Sequence, residues 1–224
     1  MIKATYVDHM GSDLSVVNAA RVSFGKKSEL FCSDHTLGTY ELKVSDTKLI
    51  NYLAKHKHIS PFGHAFASFH IKAPIFVARQ LVKHKFLRWN EISRRYVDDE
   101  PEFYTPDVWR GRSADKKQGS EGVSLWNHGQ GTGYRDVEYE VMDSIRSLYL
   151  DMIDKGVAPE QARMVLPQST MTEWYWSGSL DAFSDVCRLR CASDTQEETQ
   201  KVAWDISLKM EELFPVSWVA LRDE

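Results

Sequence analysis

The sequence lacks the features of several broad protein classes. No apolar run approaches the roughly 18 residues of a membrane-spanning helix, and the first residues lack the apolar core of a secretion signal. Cysteine is scarce: only Cys32, Cys187 and Cys191 occur, and an odd number without a secretion signal favours reduced thiols. We therefore expect a cytoplasmic protein without a membrane segment or a disulfide framework.

Excess positive charge is also lacking. The net charge of −4 at pH 7 argues against a domain that binds nucleic acid through bulk electrostatics. Cys187 and Cys191 lie four residues apart, but no companion ligand lies nearby at the spacing of a metal site, so we interpret them as buried thiols. The sequence predicts neither a nucleic-acid partner nor a bound metal.

In composition the chain is an ordinary globular protein, with 42% hydrophobic and 27% charged residues. Alternating apolar and polar residues predict a half-buried strand over residues 64–72, and a helix is predicted to begin at Pro74. Asp194 is predicted to cap the last helix. Periodicity and capping signals predict further helices over residues 14–22, 45–56, 134–155, 159–166, 179–190 and 194–214.

Residues 111–133 contain six glycines and no apolar periodicity. Most loops of this length are either functional or disordered, so we predict a long loop or lid here. For the whole chain, residues 1–224, we predict a single compact domain of the α+β class that is rich in helix.

Residues 83–96 carry the most informative pattern, Lys-His-Lys-Phe-Leu-Arg-Trp-Asn-Glu-Ile-Ser-Arg-Arg-Tyr. The segment combines several cations with one carboxylate, one amide and one serine hydroxyl. Trp89, Asn90, Glu91 and Tyr96 interrupt the positive charge, which is not typical of a generic basic patch. Because guanidinium and hydroxyl groups bind phosphate oxygens, the segment predicts an anion-binding site.

This segment resembles the signature of the flavin-dependent thymidylate synthases, which is usually Arg-His-Arg, seven residues and Ser. Here the pattern is Lys83-His84-Lys85, seven residues and Ser93. Other segments resemble elements of the same family in the same order along the chain. They are residues 13–24, 58–64, 72–80, 163–167 and 188–190.

The resemblance implies a small antiparallel sheet within the helix-rich domain and a reductive methylation of dUMP to dTMP. In that family 5,10-methylenetetrahydrofolate donates the carbon, reduced FAD supplies the hydride and NADPH reduces the flavin. The resemblance also implies a homotetramer with active sites between its subunits. Two alternatives remain open: a hydroxymethylase of pyrimidine nucleotides on the same fold, and a paralogue that binds dUMP without catalysis.

The resemblance places dUMP binding on one set of residues. These are Gln80, Glu91, Ser93, Arg94, Arg95, Arg163 and Arg190. Arg190 and Ser93 are the implied catalytic residues. Arg190 takes the position that contacts the uracil carbonyls, where a cation would stabilise enolate-like charge. Ser93 fits a hydrogen-bonding ligand better than a nucleophile, since no base lies at a convincing spacing.

Arg95 and Arg163 are the phosphate candidates, because a planar guanidinium matches a phosphate edge. The alternative for each arginine is a solvated side chain without a ligand. For Arg95 that alternative includes an ion pair with Glu91 or Asp98 on the surface.

The flavin positions depart from the family pattern. They correspond to Ser60, Lys83, His84, Lys85, Phe86, Glu91, Ser179 and Asp185, while His58 matches a residue that stacks near flavin and folate. A Lys neutralises a phosphate as a point charge but loses the bidentate geometry of Arg. Gly63 replaces a usual Glu, and carboxylates at Asp181 and Asp194 replace a usual Arg and His, which would repel a pyrophosphate.

One aromatic cluster has two interpretations. Trp174, Tyr175 and Trp176 could stack a pterin or a base. Core packing is the use that we favour, because large aromatic side chains dominate buried cores.

Overall fold

The computed structural model describes residues 1–34, 39–114, 120–124 and 134–222. A four-stranded antiparallel sheet lies at its centre. Its strands are β1 (Lys3–Met10), β4 (Phe66–Pro74), β5 (Leu87–Glu91) and β8 (Met171–Ser179), in the order β1-β4-β8-β5. Two short two-stranded pairs accompany it. They are β2 (Phe31–Asp34) with β3 (Thr39–Glu41), and β6 (Arg110–Arg112) with β7 (Ser120–Val123).

Helices make up most of the remaining regular structure. They are α1 (Asp13–Arg21), α2 (Val44–Lys55), α3 (Ile75–Leu81), α4 (Tyr134–Asp154), α5 (Pro159–Ala162), α6 (Leu180–Arg190), α7 (Glu197–Leu213) and α8 (Pro215–Arg222). None of the helices in the described ranges combines the length and the apolar character that a membrane crossing needs. The prediction of a helix-rich α+β domain with a small antiparallel sheet is confirmed.

The sheet buries one face against α6. In β4 the side chains of Phe69 and Ile71 are fully buried, as the alternating pattern predicts. Trp174 and Trp176 in β8 are each 1% exposed, and Trp176 meets Phe183 of α6 edge to face at 5.6 Å between ring centroids. Core packing is therefore confirmed for these two tryptophans.

Most predicted helices are observed within a few residues of their predicted ends, with local corrections. Pro74 is the last residue of β4 and the N-cap of α3, not its first helical residue, because it pairs with Met171 in the sheet. Gln196, not Asp194, is the N-cap of α7. Strands β6 and β7 lie within or next to the segment predicted as a loop, and its residues 115–119 and 125–133 lie outside the described residues.

Asp13 connects the start of the chain to its end. Its carboxylate is 7% exposed and accepts hydrogen bonds from the backbone N–H groups of Val216 at 3.0 Å and Ser217 at 2.8 Å. These N–H groups belong to the first turn of α8, where intrahelical acceptors are lacking. Asp13, which is distant in sequence from α8, therefore accepts the hydrogen bonds that an N-cap side chain would normally accept.

We expect Asp13→Ala to lower the free energy of unfolding by about 1–2 kcal/mol, the usual value of a lost helix cap. Urea unfolding followed by circular dichroism would measure it. Asp13→Asn keeps an acceptor oxygen and should lose clearly less. Equal losses in the two variants would show that the capping hydrogen bonds contribute little.

Candidate active site

Four of the residues at predicted dUMP positions line one cleft of about 370 Å³ beside the end of β5. They are Glu91, Ser93, Arg94 and Arg163. Apolar side chains such as Ile75 and Leu166 complete the wall. We name it the β5 cleft. A cleft of this size with several charged and hydroxyl groups suits a small polar ligand.

Glu91 is held in place by two donors. The Thr172 hydroxyl donates to Oε1 at 2.7 Å and the Trp89 indole N–H donates to Oε2 at 3.1 Å. Ser93 Oγ accepts the backbone N–H of Arg95 at 3.3 Å. The carboxylate and the hydroxyl are thus oriented before any ligand arrives, which favours binding without reorganisation.

The arginines of this region have protein partners. Arg94 Nη1 donates to the Asp99 carboxylate at 3.1 Å. Arg95 lies 3.6 Å from the Glu160 carboxylate, and Arg163 Nε donates to the Glu160 backbone carbonyl at 3.2 Å. The surface alternative for Arg95 named the wrong partner, because α5 brings Glu160 to it across the chain. Arg95 is therefore near the side chain of Glu160, whereas Arg163 bonds to the backbone of the same residue one helical turn earlier.

Gln80, His84 and Arg190 form a second group. Arg190 Nε donates to His84 Nε2 at 3.0 Å, and Arg190 Nη2 donates to the Gln80 backbone carbonyl at 3.3 Å. Burial lowers the pKa of Arg190 from its usual value. Burial, followed by the nearby Arg190 charge, lowers the pKa of His84 to about 4. His84 is therefore neutral at physiological pH and accepts through Nε2.

Arg190 has no carboxylate partner within ion-pair distance in the part of the chain that the structure describes. Both of its hydrogen bonds go to neutral acceptors. A half-buried guanidinium without a counter-charge favours a ligand with a carbonyl or anionic oxygen. Among the predicted site residues, Arg190 is therefore the one whose charge most clearly favours such a ligand.

The sequence missed the residues that hold Gln80. Its side-chain amide donates to Gln196 at 2.6 Å, and Thr199 donates to its amide oxygen at 3.3 Å. Gln196 also lines a cavity of about 520 Å³ with Tyr104 and Arg110. A pattern along the chain does not reveal these contacts, because α7 meets α3 only in the folded protein.

His58 and Ser60 line a different cleft, of about 670 Å³, next to α1 and α2. We name it the α2 cleft. The His58 ring stacks on Tyr52 with centroids 6.2 Å apart and planes 13° apart. Arg21 also lines this cleft, and sequence analysis gave it no role although it lies in a segment that resembles the family. Within one chain, the α2 cleft and the β5 cleft share no lining residue.

Lys83, Lys85 and Phe86 are exposed on the turn between α3 and β5. Phe86 adopts a left-handed backbone (φ +64°) and is 84% exposed. The turn packs closely on β8, because a Cβ on Gly178 would lie 2.3 Å from Leu87 Cδ2. Two ammonium groups beside an exposed aromatic ring fit an anionic cofactor with a planar ring.

Helix α6 contributes less favourable groups. Ser179 is buried as its N-cap, and Asp185 is paired with Arg188 on the surface. Asp181 Oδ1 is buried without a hydrogen-bond partner among the described residues. The charge of Asp185 is therefore balanced within α6, whereas Asp181 Oδ1 is left without a donor in the described part of the chain. Within the described ranges, no group of His, Cys, Asp or Glu side chains is arranged to hold a metal ion.

Solved structures with this α+β fold include a methylase of pyrimidine nucleotides. The structure is similar to that of the UMP/dUMP methylase PolB from Streptomyces cacaoi bound with 5-Br UMP, with a TM-score of 0.80 and 31% identity over 100% of this chain and 94% of that chain. The PolB structure bound with 5-Br dUMP gives a TM-score of 0.78 at 29% identity, over 100% of this chain and 95% of that chain.

The family follows from the sequence comparisons. A model of the family described as "Thymidylate synthase complementing protein" matches residues 5–216. The flavin-dependent thymidylate synthase of Thermus thermophilus is 40% identical over 97% of this chain and 74% of its own length. That of Thermosipho africanus is 36% identical over 96% of this chain and 88% of its own length. The chain belongs to the flavin-dependent thymidylate synthase family, as the sequence predicts.

Proposed function

We propose that this protein methylates dUMP to dTMP, with 5,10-methylenetetrahydrofolate as carbon donor and FAD and NADPH as redox cofactors. The observation that carries the proposal is the grouping of residues at dUMP positions. Four of them line the β5 cleft, and the Gln80 carbonyl accepts a hydrogen bond from Arg190, whose charge has no carboxylate partner among the described residues. The family membership gives this arrangement its chemistry.

The protein groups have distinct roles in this reaction. Arg95 and Arg163 bind the phosphate, in competition with Glu160. Ser93 donates a hydrogen bond to the nucleotide. Arg190 stabilises the negative charge that develops on the uracil oxygens when C5 attacks, a contribution that grows toward the transition state.

Lys83, Lys85 and Phe86 would hold the flavin nucleotide, with His84, Glu91, Ser60, Ser179 and Asp185 as further neighbours and His58 beside flavin and folate. When bound, reduced FAD supplies the hydride for the methyl group. The lysines would act on its phosphates as point charges, so we expect weaker flavin binding than an Arg-His-Arg signature gives.

We further propose a homotetramer with active sites between subunits. Helix α4 supports this proposal, because Val137, Val141 and Leu148 follow one helical stripe and are 43%, 47% and 48% exposed. An apolar stripe of this kind suits a second copy of the chain. The separation of the β5 and α2 clefts within one chain agrees with a site completed by another subunit.

UMP is a second candidate substrate, because the similar structures are described as those of a UMP/dUMP methylase. Its ribose differs from that of dUMP only at the 2′ position. A methyl transfer to either nucleotide would use the same phosphate and uracil contacts.

Product identification tests the proposal. The purified protein is incubated with methylenetetrahydrofolate, FAD and NADPH, and with either dUMP or UMP, and the product is identified by mass. We expect dTMP from dUMP. A hydroxymethylated product would support the hydroxymethylase instead, and dUMP binding without flavin or turnover would support the non-catalytic paralogue. Size-exclusion chromatography with light scattering tests the tetramer.

A further inference from the structure

A hydrogen bond links two positions that the family pattern assigns to different ligands. His84 belongs to the flavin signature, whereas Arg190 takes the uracil position. The structure joins them directly, with Arg190 Nε donating to His84 Nε2 at 3.0 Å. The contact spans 106 positions of the chain, so the fold creates it and no local motif does.

The two acceptors fix the plane of the guanidinium. Nε and Nη2 lie on one edge of this planar group, and they donate to His84 and to the Gln80 carbonyl. A planar group held at two points keeps little rotational freedom. The donors on Nη1 remain for a ligand, since neither of the two bonds uses them.

His84 is itself held firmly. Its backbone N–H donates to the Leu81 carbonyl at 3.1 Å, which closes the turn after α3. Its ring meets the edge of Trp176, a residue that is 1% exposed, at 6.4 Å between centroids. The ring therefore has a rigid support on the sheet, and its neutral form provides the lone pair that Arg190 needs.

We propose that His84 is a positioning residue: its imidazole, together with the Gln80 carbonyl, holds the Arg190 guanidinium in the orientation that meets the uracil. This inference rests on the proposed function for the identity of the ligand. It also accounts for the pattern Lys83-His84-Lys85. Compared with the family signature Arg-His-Arg, each flanking position carries a different cation, while the central residue is His in both. A Lys or Arg at position 84 would offer no acceptor and would repel Arg190.

Three variants test this role: His84→Leu removes the acceptor, His84→Gln supplies an amide oxygen, and His70→Leu is a control. His70 lies in β4 and pairs with Glu173, outside the candidate site. For His84→Leu we expect dUMP affinity and kcat to fall by about 10- to 100-fold, as for one lost hydrogen bond to a charged group. Flavin absorbance should fall clearly less than dUMP affinity, because Lys83, Lys85 and Phe86 still hold the flavin. His84→Gln should recover most of the loss, and His70→Leu should show none.

A double-variant cycle separates this role from a flavin contact. In an Arg190→Ala background, His84→Leu should change dUMP affinity by less than about twofold, because its effect passes through Arg190. A tenfold loss in that background, or a parallel loss of flavin, would overturn the proposal.

Crystal structures of the ligand-free variants examine the geometry without turnover. Arg190 should leave its position in His84→Leu and keep it in His84→Gln. An unmoved guanidinium in His84→Leu would contradict the proposal. This result stands even if the wild-type protein fails to methylate dUMP, so the two failures are distinguishable.

Discussion

Replacing Arg190 with alanine is expected to abolish turnover and leave the fold intact. We expect kcat/KM for dUMP to fall by at least about 10²- to 10³-fold, the loss that follows removal of one donor to a developing oxyanion. The Arg190 guanidinium lies half-buried at the end of α6 without a counter-charge among the described residues. Its charge is therefore poorly screened and acts strongly on a nearby uracil oxygen.

Stability should change little in this variant. Arg190 makes two hydrogen bonds, to His84 and to the Gln80 carbonyl, and both of these residues are partly exposed. We expect a loss of about 1 kcal/mol in the free energy of unfolding. Steady-state kinetics and urea unfolding on the same preparation measure the two quantities.

Arg112→Ala is the matched control, since Arg112 is exposed in β6 and lines none of the described clefts. It should keep wild-type kinetics. Arg190→Lys keeps the charge but not the planar two-point attachment, so we expect it to recover little activity. If Arg190→Ala retains activity within about threefold of wild type, the uracil lies elsewhere and the transition-state argument fails.

Local patterns predicted most of the helices, though not α8, because the signals of a helix lie within one segment. Ser12 caps α1 with a reciprocal bond to Ser15, and Gly156 follows α4 in a left-handed conformation. The 3.6-residue period of the apolar residues between these capping signals supports the helix assignments. Among the described strands only β4 was predicted, and the sequence analysis missed β1, β5 and β8 of the central sheet and the short strands β2, β3, β6 and β7. Strand β8 contains the run Trp174-Tyr175-Trp176, whose aromatic residues hide the alternation of buried and exposed positions.

In the candidate site, too, the features with local sequence signals were predicted and the contacts between distant segments were not. The prediction that residues 83–96 bind an anion rests on residue types alone. The contacts that orient the groups do not: His84 with Arg190, Arg95 with Glu160 and Gln80 with Gln196 each join segments that are distant in sequence. These pairs depend on the packing of β8 against β5 and of α7 against α3, which sequence spacing does not encode.

Breaking the buried ion pair beside the α2 cleft should lower the free energy of unfolding more than any other change proposed for this protein. The Asp46 side chain is fully buried, and its Oδ1 accepts from Arg21 Nε at 3.1 Å and also from Arg21 Nη2. Its Oδ2 accepts the hydroxyl of Ser28. Removing Arg21 leaves a buried carboxylate with one neutral donor. The loss of stability is far larger than when an exposed ion pair is broken.

We expect Arg21→Met to lower the free energy of unfolding by about 3–5 kcal/mol, measured by urea unfolding. The double variant Arg21→Met/Asp46→Leu removes the stranded charge and should recover a large part of that loss. As a control, Lys155→Ala breaks an exposed pair with Asp151, with side chains 69% and 54% exposed, and should cost less than about 1 kcal/mol. A loss in Arg21→Met no larger than in Lys155→Ala would mean that water reaches Asp46. If the double variant instead folds stably but loses flavin, Arg21 serves the α2 cleft as a ligand as well as the core as a counter-ion.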